Sequence, residues 1–260
     1  QGIKVMTLHD LSKVGSAEAV EAYLNTVSSE SPDDLQYVLD LRNEQRYTAL
    51  HCAIFSRNLA ALNVLIRRGA DADMKCHGTA PVLLALASAV QPGGEQFALD
   101  AMTMLLENNA NVSVKDDHGY SLLHLAAEYN LAQFADSILK YAVDVAELVN
   151  NAPKLTGITP LHRAASTDGH LAAAVLLRHG AALTDKCASL QSTALHMAAS
   201  SGSTKVWQVL VSSLAADKQK QHEYLQQKDG LGRSAVELAR RSGYVVDTKD
   251  ASILLKSDQL

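Results

Sequence analysis

The chain has 260 residues and a formal charge of −5, with 47% hydrophobic residues but only 5% aromatic ones. The acidic balance argues against a nucleic-acid binder, which would need cations to neutralise phosphate, and no basic run exceeds the pairs Arg67-Arg68 and Arg240-Arg241. No stretch approaches the roughly 20 apolar residues of a membrane span, and a core so poor in rings must be built from Leu, Val and Ala.

In chain order, Thr7-Leu8-His9 opens an apolar segment, Met6 to Val27, that predicts a first pair of helices. The opening phrase then recurs as Thr48-Ala49-Leu50-His51-Cys52-Ala53 and, weakly, as Ala80-Pro81-Val82-Leu83-Leu84-Ala85. It continues as Ser121-Leu122-Leu123-His124, as Thr159-Pro160-Leu161-His162-Arg163-Ala164-Ala165, as Thr193-Ala194-Leu195-His196, and finally as Ser234-Ala235-Val236-Glu237. Each copy has the same physical logic. Thr or Ser is a good N-cap for the helix that follows. Pro160 suits the first helical turn, where no N–H is needed. The small alanines let helices approach closely. A second helix follows, ending in an apolar triplet such as Val64-Leu65-Ile66, Met104-Leu105-Leu106, Val175-Leu176-Leu177 or Val209-Leu210-Val211. Gly15, Gly202 and Gly243 fall seven residues after a leucine slot, where a chain reversal is expected to need positive φ, and Asn130 takes that place in its own copy. The strip Ala251-Ser252-Ile253-Leu254-Leu255 predicts a closing helix from Thr248 to Leu255.

The leucine slots are Leu8, Leu50, Val82, Leu123, Leu161, Leu195 and Val236, and their spacing is uneven. A phrase of the type Gly69-Ala70-Asp71 or Gly180-Ala181-Ala182 follows the leucine slot at a fixed offset and locates the surplus. The third copy holds extra residues around Pro92-Gly93-Gly94. Other insertions follow the second helix, in 28–42, 145–156 and 216–228. Within them Asp33 to Leu39, Val145 to Val149 and His222 to Leu225 read as added turns of amphipathic helix.

A phrase recurring every few tens of residues signals a stacked repeat, and this one resembles the ankyrin repeat, a unit of about 33 residues with a turn and two helices. The resemblance covers about Met6 to Tyr244. It implies an all-α solenoid of six to seven helix-turn-helix repeats with extended connecting fingers. The whole of 1–260 would be a single domain, divided near 6–40, 41–75, 76–115, 116–150, 151–186, 187–228 and 229–256. It also implies a non-catalytic protein-interaction module of the scaffold or adaptor kind. Similar domains mask Rel-type transcription factors, or recruit substrates and partners for larger enzymes and channels.

Chemistry of other kinds finds little support. Five of the ten histidines, His9, His51, His124, His162 and His196, share the slot after leucine. They sit a repeat apart, too far for one metal to gather several at about 2 Å, and in ankyrin-like chains this slot is structural. Gly230-Leu231-Gly232-Arg233 has neither the glycine spacing nor the lysine of a phosphate loop. Asp33-Asp34 and Asp116-Asp117 lack the alternation of a calcium loop. No catalytic constellation, cofactor site or metal site is expected. Cys52, Cys76 and Cys187 are few, odd in number and without ligand spacing, so free thiols in a reducing cytoplasmic or nuclear compartment are expected. Beginning at Gln1 without a methionine or an apolar leader, the sequence reads as a segment of a longer protein.

In ankyrin-like stacks the finger tips and the first helices line one concave face. The matching slots hold Glu44, Gln45, Tyr47, Phe55 and Ser56, then Asp117, His118, Tyr120, Glu128 and Tyr129. Later repeats place Leu155, Thr156, Ile158, Ser166 and Thr167, then Ser189, Leu190, Ser192, Ser200 and Ser201, and last Leu231, Arg233, Arg241 and Ser242. The scarce aromatics gather in the earlier slots. Since Tyr, Trp and Arg dominate interface hot spots, the expected partner-binding residues are Gln45, Tyr47, Phe55, Asp117, His118, Tyr120, Glu128 and Tyr129, contacting a protein or peptide.

Overall fold

The computed structural model describes residues 6–247 and 253–255. They fall into two compact units that meet in sequence between Asp117 and His118.

In the first unit, α1 (Leu8–Val14), α4 (Ala49–Phe55) and α6 (Pro81–Ala87) pack side by side as one file. The file of α2 (Ala17–Glu30), α5 (Leu59–Arg67) and α7 (Glu95–Glu107) backs it. The insertion after α2 folds as a 3-10 turn, Pro32–Asp34, and α3 (Leu35–Asp40). A second 3-10 turn, Ser88–Val90, and the bend at Gly93 absorb the extra residues before α7.

The second unit repeats the plan. One file holds α8 (Leu122–Glu128), α11 (Pro160–Thr167), α13 (Ala194–Ser201) and α16 (Ala235–Arg241), and the other α9 (Ala132–Lys140), α12 (His170–Arg178) and α14 (Thr204–Ser212). Short helices α10 (Val145–Val149) and α15 (Lys218–Gln226) occupy its two insertions.

The sequence explains where the helices begin. Thr7, Thr48, Thr159 and Ser234 each accept a backbone N–H from the first turn of their helix. Ala80 cannot, and there Pro81 sets the first turn instead. Every leucine-slot residue is buried, from Leu8 through Val236. Each such aliphatic side chain stabilises by about 1.5–3 kcal/mol relative to exposure.

The chain end departs from expectation. Residues Ile253–Leu255 form a strand, β2, antiparallel to β1 (Tyr244–Val246), with Tyr244 opposite Leu255 and Val246 opposite Ile253. The rest of the expected closing helix, 248–252, lies outside the described residues. The reason lies in the residue types. Gly243 at φ 89° ends α16, and the aromatic and β-branched run Tyr244-Val245-Val246 then favours a strand. An apolar strip alone does not distinguish the two.

Gly15 also differs from the expected pattern. Gly202 and Gly243 have positive φ, as do Asn130, Arg57 and Asp168 at the same slot of their repeats. Gly15 instead has φ −79°. Its need for glycine is steric, because a Cβ would lie 2.5 Å from the Leu11 carbonyl oxygen.

Candidate protein-binding surface

The recurring histidines belong to the scaffold that carries the surface. His124, His162 and His196 each accept at Nδ1 the backbone N–H of their own cap residue, at 3.0, 3.1 and 3.3 Å. An accepting Nδ1 places the ring proton on Nε2. Nε2 then donates to the next finger: His124 to Ile158 O (2.8 Å), His162 to Ser192 O (3.1 Å) and His196 to Gln227 O (2.9 Å). In the first unit His9 reaches Leu41 O at 2.9 Å and His51 reaches Thr79 O at 3.4 Å. Burial, partly opposed by these carbonyl bonds, holds His51, His162 and His196 below the usual histidine range. They stay neutral and fasten finger to helix. Ser192, expected in the groove, is buried in this lattice. Among the described residues no three His, Cys, Asp or Glu side chains form a metal-binding group.

In the first unit, the expected residues Gln45, Tyr47 and Phe55 meet around a residue the sequence reading missed, His77. Tyr47 is half-buried, its backbone N–H donating to Asn43 Oδ1 at 2.9 Å. Its ring meets Phe55 edge-on at 4.9 Å between centroids, and His77 at 5.1 Å. His77 Nε2 in turn donates to the carbonyl of exposed Gln45 at 2.9 Å. Phe55 is 53% exposed. One ring is thus held by its neighbours and offers a second to solvent. Asp117, also exposed, packs on the adjoining turn, where its carboxylate oxygens lie 2.6 Å from where a Gly78 Cβ would stand.

In the second unit, Tyr120 and Glu128 are brought together by Arg163, which the sequence reading also left out. The Arg163 guanidinium lies 4.4 Å from the Tyr120 ring centroid, and its Nε is 3.6 Å from Glu128 Oε2. Arg163 and Glu128 both keep more than a quarter of their side-chain surface exposed, so the ion pair orients the guanidinium more than it stabilises the fold. Tyr129, the C-cap of α8, is 45% exposed beside this clamp, and His118 is exposed in the finger leading to Tyr120. Arg163 was legible in principle. It lies three and four residues before Ser166 and Thr167 on α11, so it shares their helix face.

Among the described residues no helix is long and apolar enough to cross a membrane. A family model described as ankyrin repeats in three copies matches residues 123–222, and a single ankyrin-repeat model matches 45–74. The human SH3 and multiple ankyrin repeat domains protein 2 is 33% identical over 143 residues, 55% of this chain and 7% of the relative. The Gallus gallus nuclear factor NF-kappa-B p105 subunit is 26% identical over 180 residues, 68% of this chain and 17% of the relative. The chain therefore spans only a small part of the curated relatives it matches. Among solved structures, the ankyrin repeat domain of Bcl-3, described as a unique member of the IkappaB protein family, aligns with a TM-score of 0.71 at 22% identity. That alignment covers 92% of this chain and 96% of the Bcl-3 domain. Matching family models, relatives and fold agree with the repeated phrase and its histidine lattice: the chain belongs to the ankyrin-repeat family.

Proposed function

We propose that this chain is a non-catalytic protein-interaction module whose first helices and finger tips grip a partner protein or peptide. Ankyrin repeats are generally modules of this kind. The observation that carries the reading to particular residues is that each unit has a held ring and an exposed one. In the first Tyr47 is in edge-on contact with Phe55, and in the second Tyr120 lies under Arg163 with Tyr129 exposed at the C-cap of α8. A ring already immobilised loses little entropy when a partner closes on it, which is what makes aromatic anchors effective. Gln45, Asp117, His118 and Glu128 supply polar groups around these anchors and orient the partner. Catalysis, if the full protein has any, lies outside this chain, and the module works in the cytoplasm or nucleus. The likeness to an IkappaB-family domain favours a narrower second reading, an inhibitor-like domain that masks a transcription factor.

The test is calorimetry with a partner recovered by pull-down. Phe55→Ala and Tyr129→Ala should each weaken binding by about 1–4 kcal/mol, while Ser166→Ala and Ser200→Ala bind as the parent does. Loss confined to the serine variants would move the contact to the later helices of the second unit, α11 and α13. If none of the four matters, the groove reading is wrong.

A further inference from the structure

The finger tips of the second unit carry a feature that the aromatic anchors do not use. Leu155, Leu190 and Leu231 stand on three consecutive tips and are 90%, 44% and 63% exposed. A single exposed leucine is ordinary, but three on adjoining tips make a row. The row is rigid, because backbone bonds weld the tips together. Ala188 N–H donates to Thr156 O at 2.8 Å, and Gly230 N–H donates to Leu190 O at 2.6 Å. Both welds depend on glycine: a Cβ at Gly157 would lie 2.9 Å from Ala188 N, and one at Gly230 would lie 2.9 Å from Leu190 O.

The charges beside the row are lopsided in a chain that is acidic overall. Lys154 and Lys186 are exposed, and Lys186 Nζ is held over the next finger by donating to Lys228 O at 3.1 Å. The carboxylate of Asp229 is fully buried and committed to Arg233 at 2.8 Å, Glu237 is paired with Lys228 at 3.0 Å, and Asp185 is half-buried. The accessible face of these tips is therefore apolar and cationic. The finger tips of the first unit present Glu44, Gln45, Arg46 and His77 instead.

We infer that the tips of the second unit dock an extended acidic segment of a partner protein with an apolar side chain at every third position. The spacing follows from geometry. Stacked helices lie about 8–10 Å apart, and an extended chain advances about 3.3–3.6 Å per residue, so about three residues bridge neighbouring tips. The apolar side chains would rest on Leu155, Leu190 and Leu231, and carboxylates between them would meet Lys154 and Lys186. This surface is distinct from the aromatic anchors, so it can fail while the groove reading stands.

The experiment is methyl NMR of the leucine-labelled chain, titrated with the acetylated, amidated peptide Leu-Asp-Glu-Leu-Asp-Glu-Leu, which reads weak binding directly. The methyl signals of Leu155, Leu190 and Leu231 should shift. A peptide with lysine at the four acidic positions should cause no shifts. The triple variant L155S/L190S/L231S should weaken peptide binding at least tenfold with an unchanged melting curve, as all three side chains are exposed. K154E/K186E should weaken it several-fold, and most at low salt, while Tyr129→Ala leaves it unchanged. The inference is overturned if the acidic peptide leaves the three leucines unmoved, or if the basic peptide binds as well. It is also overturned if peptide binding survives the triple variant or depends on Tyr129 instead.

Discussion

The two units make the same chain reversal, seven residues after the leucine slot, with different chemistry. In the second unit Asn130 and Asp168 adopt positive φ, and each side-chain oxygen caps the second helix of the following repeat. Asn130 Oδ1 accepts from Leu171 and Ala172 N–H at 2.8 and 3.1 Å, and Asp168 Oδ1 accepts from Lys205 and Val206 N–H at 3.1 and 3.0 Å. In the first unit Arg57 takes the left-handed turn, its Nη1 donating to Pro92 O at 3.1 Å, and its neighbour Asn58 makes the cap. It caps its own helix through Ala61 N–H at 3.0 Å and reaches back to Gly15 O at 2.8 Å. The second unit is stitched forward through helix caps, whereas the first is tied backward through Asn58 and forward only through the exposed Arg57 side chain. The aromatic clusters differ in the same spirit, neutral rings around His77 in the first and a cation clamp at Arg163 in the second. A common core therefore tolerates different polar connections, and each unit presents a different aromatic cluster on it.

If the core is the shared part, equivalent core truncations should cost the same in both units. Leu50→Ala in the first and Leu161→Ala or Leu195→Ala in the second each remove a side chain at most 1% exposed. Each should destabilise by about 2–5 kcal/mol in denaturant titrations, with Ser200→Ala near neutral. Hydrogen exchange should show the loss from Leu161→Ala reaching α8 and α13, which flank α11. A much smaller cost in one unit would mean that its core is not built as its phrase suggests.

The forward stitch is next in size. Asp168→Gly keeps a residue tolerant of positive φ but removes the acceptor for two N–H groups. A cap of this kind is worth about 0.5–2 kcal/mol, and Asn130→Gly should behave alike. Arg57→Gly in the first unit should cost less, since it removes one exposed bond, Arg57 Nη1 to Pro92 O at 3.1 Å, while the helix cap there belongs to Asn58. Equal losses at all three positions, measured by urea midpoints, would erase the distinction between the units.

Much of this was readable because it is local. Caps, apolar triplets, the left-handed slot and the three helical insertions are properties of short windows, and they stand where the sequence places them. The misreadings arise where a residue's role depends on something distant or on a competing preference. Gly15 fits the slot rule but answers to a crowded carbonyl. The strip before Leu255 is apolar enough for a helix, yet its partner strand Tyr244–Val246 is set by side-chain type. Arg163 and His77 belong to repeats other than those of the tyrosines they hold, so no single repeat displays them. The aromatic slots and the helix face of Arg163 can be read from register, whereas the contacts of Arg163 with Tyr120 and of His77 with Tyr47 cannot.

The histidine lattice gives a pH test with a definite sign. His51 in the first unit and His162 and His196 in the second are held below the unfolded value, about 6.5, chiefly by burial. Below that value the unfolded chain takes up protons that the folded rings refuse, so the unfolded state binds more. Urea midpoints should be flat from pH 8 to 7 and fall progressively as pH drops below about 6.5. Protection in hydrogen exchange should fade in α4, α11 and α13, the helices that carry these rings. Stability that rose on acidification would mean that these rings are charged in the fold.

The smallest effect should come from the two residues that hold the rings. Replacing Arg163 with Gln removes the cation over Tyr120, and a cation–π contact of this exposure is worth about 0.5–1 kcal/mol. Its ion pair with Glu128 adds little more, because both side chains remain more than a quarter exposed. His77→Ala in the first unit removes an edge-on ring contact of about 0.5–1.5 kcal/mol and the bond to Gln45 O. Both variants should therefore melt close to the parent. In the folded state the Tyr120 ring should lose its fixed orientation in Arg163→Gln, seen as averaged ring shifts by NMR, and Tyr47 should do the same in His77→Ala. Arg163→Lys is the sharper variant, since it keeps the charge but loses the planar guanidinium that lies against the ring. If it holds Tyr120 as firmly as arginine does, charge alone orders the clamp. If Arg163→Gln instead costs several kcal/mol, the clamp is part of the core and Tyr120 is not a ring poised for a partner.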